Sequence, residues 1–169
     1  MRAPVHRVLA LLALCFILAS CASVPLSTLM RMSSFSEEKF AGLRPDDIGI
    51  KVRLPEGFAL DVAHSRLAIE VASNAGTHTA AFDLEQTGLQ SRAGGEYELQ
   101  LTAEARDRFR QLQAFVAKAQ VEDIAIRVMP KLASKPERAS SVAVWIDLRL
   151  AQEDGYFALV DGASISLAK

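Results

Sequence analysis

The sequence has 169 residues, with 19 Lys and Arg against 20 Asp and Glu, and half of its residues are hydrophobic. The formal net charge of −1 excludes a protein that binds nucleic acid mainly by electrostatic attraction, because such a protein carries a basic excess. The hydrophobic content and the 23% of charged residues also exclude a disordered chain. The length suits one ordinary domain, which can bury a core without metal ions or disulfide bonds.

The chain opens with a short basic segment that leads into an apolar run. Residues 1–7 include two arginines, and residues 8–19 carry no charge. This run is too short for a membrane-spanning helix, which needs about 20 residues, but it is typical of the core of a secretory signal. An uncleaved membrane anchor is the alternative, since no further charge appears before Arg31. The Ser, Pro and Thr residues that follow Cys21 disfavour it.

The run ends in Leu18-Ala19-Ser20-Cys21, which resembles the lipobox of bacterial lipoproteins. The resemblance covers residues 1–21. It implies cleavage between Ser20 and Cys21, a diacylglycerol group on the Cys21 thiol, and a further acyl chain such as palmitate on the new amine. Ala22 follows the cysteine where Asp would favour retention, and in enteric-type lipoproteins this pattern implies transport to the outer membrane. Several acyl chains anchor a protein far more stably than one does.

These features predict a chain of three parts. We expect residues 1–20 to be removed as a signal peptide, residues 21–34 to form a lipidated tether, and residues 35–169 to form one domain. Cys15 lies in the removed part, so the mature chain keeps Cys21 as its single cysteine and forms no internal disulfide bond. The domain is expected at the outer membrane, facing the periplasm, although the sequence leaves exposure on the cell surface open.

Two hydrophobic periods divide the predicted domain. Ser34 and Glu37 have the spacing of a capping box, which predicts a short helix over 36–41. Period-2 alternation, separated by turn signals such as Asp154-Gly155 and Asp161-Gly162, then predicts strands. The predicted strands lie around residues 48–54, 58–62, 67–71, 78–85, 97–101, 124–128, 142–150, 156–160 and 165–167.

Between 103 and 119 the apolar spacing changes to three and four, which predicts one amphipathic helix with Thr102 as its N-cap. Eight or nine short strands with one late helix predict a mainly β fold. We expect an antiparallel β-sandwich with an outline like that of immunoglobulin or transthyretin domains. A two-layer α+β sheet is the alternative. The helix is expected to pack on the sandwich and to cover Trp145.

The predicted domain lacks the sequence patterns that catalytic and metal sites require. It has no His-Glu-x-x-His, no Cys-x-x-Cys, no Gly-x-Ser-x-Gly and no phosphate-binding glycine loop. Asp61, His64 and His78 would form a metal cluster only if two turns met, so we expect two exposed turn histidines. We therefore predict no enzymatic activity, no metal site, and no cofactor other than the acyl groups on Cys21.

Arg106, Arg108 and Arg110 of the predicted helix alternate around its polar side. Phosphate or lipid-headgroup binding is the functional interpretation of such a group. The spacing favours a solvated helix face instead, because alternate residues of a helix do not face each other.

The sequence predicts a non-catalytic adaptor or assembly module that binds an envelope protein and is held to the membrane by its anchor, with no nucleic-acid partner. An exposed Trp145 would suit recognition. The alternative is a carrier of lipid or another apolar ligand, with a cavity lined by Phe82, Phe109, Phe115 and Phe157; the same residues also suit an ordinary core. A free, uncharged edge strand would favour the adaptor, but the sequence does not show which strand is the edge.

Overall fold

A computed structural model describes residues 36–88 and 95–167. The predicted signal peptide and tether, including Ser20 and Cys21, lie outside the described residues. Helix α1 spans Glu37–Gly42 and helix α2 spans Ala103–Val116, and Pro45–Asp47 and Val62–His64 form single 3-10 turns. The strands are β1 Gly49–Leu54, β2 Ala59–Leu60, β3 Arg66–Ser73, β4 Gly76–Gln86, β5 Gly95–Leu101, β6 Val121–Met129, β7 Leu132–Ser134, β8 Ser141–Arg149 and β9 Phe157–Ser166.

Seven of the strands form one curled antiparallel sheet in the order β6-β3-β4-β5-β1-β8-β9. Strands β2 and β7 pair in a small second sheet. The predicted mainly β fold with a sandwich-like outline and one amphipathic helix is confirmed. The apolar residues that alternate along the strands point to the inside of the curl, where they form a single buried cluster.

Helix α2 begins at the predicted residue and ends before the predicted one. The Thr102 hydroxyl accepts a hydrogen bond from the backbone N–H of Ala105 at 3.2 Å, so Thr102 is the N-cap that the sequence predicts. The last helical residue is Val116, and turn residues replace the predicted helix up to Ala119. Helix ends fray into turns of this kind, so the difference lies within ordinary boundary error.

Helix α1 is tied to α2 by side-chain hydrogen bonds. Ser36 is its N-cap and accepts from the backbone N–H of Lys39 at 3.3 Å, while the predicted capping residue Ser34 lies outside the described residues. At the other end, the Gln113 side-chain amide of α2 satisfies carbonyl groups that the helix leaves unpaired. It donates to the carbonyl oxygens of Phe40, Ala41 and Leu43 at 2.9, 3.2 and 2.9 Å.

Three phenylalanine rings join the two helices to the sheet. The ring centroid of Phe109 in α2 lies 5.2 Å from that of Phe40 in α1 and 5.5 Å from that of Phe82 in β4. All three side chains are at most 1% exposed. Tilted ring pairs at such distances contribute packing energy beyond the burial of their area. Phe109 is therefore the central contact between helices and sheet.

Two of the predicted strand features are wrong. The predicted turn at Asp161-Gly162 is a bulge within the continuous strand β9, whose register against β8 shifts at this point. Gly162 has a φ of 68°, which glycine adopts without steric cost. The predicted strand around 58–62 shortens to β2, because the chain turns into the 3-10 helix that Asp61 caps by accepting from the backbone N–H of His64.

Trp145 lies on the outer face of β8, where it alternates with the buried Val144 and Ile146. Its indole packs over Gly162, at which an added Cβ would stand 3.3 Å from the indole Nε1, and the guanidinium of Arg53 lies 6.0 Å from the ring centre. Helix α2 packs mainly on β4 and α1 at the inner side of the sheet. The prediction that the helix covers Trp145 is therefore wrong.

Candidate functional site

The first half of strand β4 has an unpaired edge. The strand has 11 residues, but β5 pairs with it only at residues 84–86. The chain leaves β5 after Leu101 and enters α2, so no described strand lies beside β4 between Gly76 and Phe82 on that side. On its other side, β4 pairs with β3 over this whole stretch. One edge of β4 is thus left open over this stretch.

Three residues of β4 direct their backbone groups to this open edge. In an antiparallel sheet, alternate residues direct their N–H and C=O groups to the same neighbour. The carbonyl of Asp83 accepts from the backbone N–H of Thr102 at 3.2 Å, which shows that Asp83 faces the β5 side. By the same alternation Thr77, Thr79 and Ala81 also face that side. Among the described residues, no backbone group forms a hydrogen bond with the outward N–H or C=O groups of these three residues.

Helix α2 runs beside the edge and leaves a groove of about 450 Å³. Residues three and four apart share one face of a helix, and this face of α2 looks onto β4. Phe115 is 42% exposed, and its ring centroid lies 5.1 Å from that of His78. The groove is lined by His78, Ala80 and Phe82 from β4 and by Arg108, Leu112 and Phe115 from α2. An open strand edge beside an apolar groove is the arrangement that binds extended peptides by strand addition.

The two outermost strands of the sheet differ from β4 in ways that matter for strand addition. Strand β6 carries Glu122, Asp123 and Arg127, and β9 carries Asp161 and two shifts of register against β8. Charges and bulges are the features that keep edge strands from pairing with other chains. Residues 76–82 of β4 have no Asp, Glu, Lys or Arg and pair with β3 without a shift. This edge is therefore the one suited to pairing.

The four aromatic residues predicted for binding lie in separate places. Phe109 is fully buried, and Phe115 lines the groove beside β4. Phe157 is half-buried in a different cleft of about 570 Å³, between the end of α1 and the β8–β9 connection, and Trp145 lies on the outer face. The structure does not bring these residues together. The predicted ligand cavity is likewise divided, because Phe82 packs directly on Phe109.

The predicted histidine cluster is also divided. His64 Nδ1 lies 2.7 Å from the carboxylate of Asp61, whereas His78 stands at the opposite end of the β3–β4 hairpin, against Phe115. Among residues 36–88 and 95–167, no group of three or more His, Cys, Asp or Glu side chains has a geometry that could hold a metal ion.

Arg108 and Arg110 of α2 are exposed, as the sequence predicts for a solvated helix face. The arginines of α2 also form ion pairs that link the helix to the rest of the domain. Arg106 contacts Asp46 at 2.9 Å and Glu85 at 3.3 Å, and Arg110 contacts Asp46 at 3.3 Å. Arg108 pairs with a carboxylate of β4, described below. The helical spacing alone could not show this, because the acidic partners are far away in the sequence.

Asp46 gives this contact a pH dependence. The hydrogen bond from Arg106 is the main cause that holds the pKa of Asp46 below its usual 3.8; burial opposes it, and the charges of Arg106, Arg110 and Arg44 add to it. A carboxyl with a lowered pKa stabilises the fold above its unfolded pKa and loses that contribution as the pH falls through its folded pKa.

We therefore expect Asp46→Asn to lower stability slightly at neutral pH and to reduce the further loss of stability below pH 3.8. The effect is small and decreases in salt because Asp46 is exposed. Urea unfolding across the acid range measures it. Asp107→Asn is the control, since Asp107 pairs with Arg110 within the same helix and is 72% exposed. Equal pH profiles for the two variants would contradict the prediction.

Sequence reasoning missed Thr77, Thr79 and Ala81 as site residues. It predicted a strand over 78–85 with Ala80, Phe82 and Leu84 facing inward, which agrees with β4. The available signal was the lack of charge from residue 76 to residue 82. That signal does not show which neighbour the strand pairs with.

Comparison with models of known protein families, with curated proteins and with solved structures finds no match to this chain. In the part of the chain that the structure describes, no helix has the length and apolar character needed to cross a membrane.

Proposed function

We propose that this protein is a non-catalytic envelope lipoprotein, anchored in the outer membrane, that acts as an adaptor. In this proposal it binds an extended segment of another envelope protein by strand addition at the free edge of β4. The observation that carries the proposal is the uncharged edge from Thr77 to Ala81 beside the groove under Phe115. The anchor is supported by the lipobox-like sequence that ends in Cys21.

Strand addition uses the backbone groups that β4 leaves open. Thr77, Thr79 and Ala81 offer one N–H and one C=O each, and an added strand would pair with all of them. Each such hydrogen bond contributes about 0.5–1.5 kcal/mol net, because water is displaced when it forms. The main-chain bonds give affinity for any extended segment, and the groove selects among side chains.

The anchor complements this modest affinity. A protein held on a membrane surface meets other envelope proteins at a raised effective concentration, which turns weak contacts into persistent ones. A short uncharged edge and a lipid anchor thus support the same role. The active parts would be the backbone of β4 and the groove, so the role requires no catalytic group.

The test is a substitution that closes the edge without damaging the sheet. The N–H of Thr79 points to the free side, so Thr79→Pro removes no hydrogen bond to β3 but removes one donor from the edge and blocks the approach of a strand. Thr79→Val is the matched control, since it keeps the N–H and suits a strand. A photo-crosslinking residue at Gln111, which lines the groove, records what lies there in intact envelopes.

We expect one protein to crosslink at Gln111 in the native chain and in Thr79→Val, and the crosslink to fall by at least tenfold in Thr79→Pro. A protein crosslink that survives the proline would contradict strand addition. Crosslinking to lipid in place of protein, unchanged by the proline, would contradict the adaptor and favour a carrier of apolar ligands.

A further inference from the structure

The groove beside β4 ends in an excess of positive charge. Arg66 Nε lies 2.9 Å from the Asp83 carboxylate, and Arg108 donates to the other oxygen of the same group. Two guanidinium groups therefore share one carboxylate. Arg66 also donates to the carbonyl oxygens of Ala63 and Ser65 at 2.6 and 2.8 Å, which holds it in place.

Arg108 is the group that a bound strand would meet. It lines the groove and its side chain is 48% exposed. It reaches from α2 to Asp83, where the free edge ends and pairing with Thr102 begins. A strand laid along Thr77–Ala81 would reach this guanidinium at one of its ends. The single carboxylate of Asp83 leaves part of the positive charge of the two arginines uncompensated. A carboxylate of the bound strand at this place would neutralise it.

A second feature selects an apolar side chain. His78, Ala80 and Phe82 of β4 face the groove, and Ala80 is the smallest of the three. Across the groove from β4 stand Leu112 and Phe115. A strand paired with β4 places the side chain opposite Ala80 beside its methyl group, on the same face and next to these two residues. The space left by alanine suits a large apolar side chain in that position.

We infer that the segment bound at the β4 edge is an acidic-apolar one, with a large apolar residue opposite Ala80 and a carboxylate two residues away, at the end of the segment beside Arg108. This inference rests on the proposed strand addition and specifies its partner. Thr102 already pairs with Asp83, so the added strand ends opposite Phe82, two residues from the apolar side chain and on the same face of the strand. The partner is thus recognised by two side chains on the face that lies in the groove.

Synthetic peptides test this with the full-length lipidated protein in detergent micelles. The probes are fluorescein-labelled peptides of alternating threonine and valine with a central leucine. A glutamate stands two residues before the leucine in one probe and two residues after it in the other, which covers both strand directions. Matched peptides replace glutamate by lysine, replace leucine by alanine, or carry N-methyl groups on alternate amides.

Fluorescence anisotropy is expected to show that one glutamate peptide binds roughly tenfold more tightly than its lysine and alanine counterparts, and that N-methylation abolishes binding. Arg108→Gln should remove the preference for glutamate over lysine. Arg110→Gln should keep it, because Arg110 has a similar exposure of 51% on the same helix but does not line the groove. In the native protein, added salt should weaken the binding of the glutamate peptide more than the binding of an uncharged peptide.

The outcomes distinguish failure of the inferred partner chemistry from failure of strand addition itself. Equal binding of glutamate and lysine peptides, with loss on N-methylation, would overturn the acidic requirement and leave strand addition standing. Equal binding of leucine and alanine peptides would overturn the apolar requirement. Binding that ignores N-methylation, or no binding by any peptide, would overturn strand addition at β4 and with it the proposed function. The salt series supplies the charge test even if Arg108→Gln unfolds.

Discussion

Replacing Phe109 by alanine is expected to lower the free energy of unfolding by about 3–5 kcal/mol, the cost of removing a fully buried aromatic ring from a core. Phe109 is 0% exposed and contacts both Phe40 and Phe82, so its loss separates the two helices from the sheet at one point. The total free energy of unfolding of a native domain is about 5–15 kcal/mol, so the variant keeps little stability. Urea unfolding followed by the fluorescence of Trp145, the single tryptophan, measures the change.

The same helix supplies the control for this prediction. Phe115 has the same side chain but is 42% exposed beside the β4 groove. Phe115→Ala should cost about 1 kcal/mol or less, since surface substitutions away from the core change stability little. Equal losses for Phe109→Ala and Phe115→Ala would show that the helix is not held through the phenylalanine stack.

This contrast between two phenylalanines of one helix shows what local sequence can and cannot predict. The N-cap at Thr102 and the start of α2 depend on residues within one helical turn, so the sequence predicts them correctly. The alternation in β8 likewise places Val144 and Ile146 inside. The exposure of Phe115 depends on where β4 stops pairing with β5, which no local pattern encodes.

Strand β9 gives a second example. Asp161-Gly162 is a common turn sequence, and the structure uses it as a bulge. The difference arises because Trp145 of the neighbouring strand packs over Gly162 and β8 continues beyond it. A turn and a bulge use the same glycine conformation, so only the partner strand decides between them.

The candidate site lies beyond local prediction for the same reason. An edge is defined by the strand that is absent beside it, and Thr77, Thr79 and Ala81 are ordinary strand residues by sequence. β5 ends at Leu101, where the chain turns into α2, so no described strand covers β4 before residue 84. The edge is thus a consequence of the order of elements. The hydrophobic pattern of β4 alone predicts its inward face but not its neighbours.

Cys21→Ser is expected to abolish the incorporation of labelled palmitate into the protein and to leave a longer precursor. The hydroxyl of serine does not replace the cysteine thiol as the group that takes the diacylglycerol, so lipidation stops before cleavage. Cys15→Ser is the matched control, because Cys15 is the other cysteine of the chain and lies in the predicted signal peptide. That variant should incorporate palmitate and be processed like the native chain.

The membrane association of the protein depends on the same residue. In the proposed function, the acyl chains on Cys21 hold the protein to the membrane. Mass spectrometry of the purified native protein should find an N-terminal peptide that begins at Cys21 and carries these chains. Label retained by Cys21→Ser, or lost from Cys15→Ser, would contradict the anchor. A crosslink at Gln111 would then form without the raised effective concentration that the anchor gives the protein and its partner at the membrane.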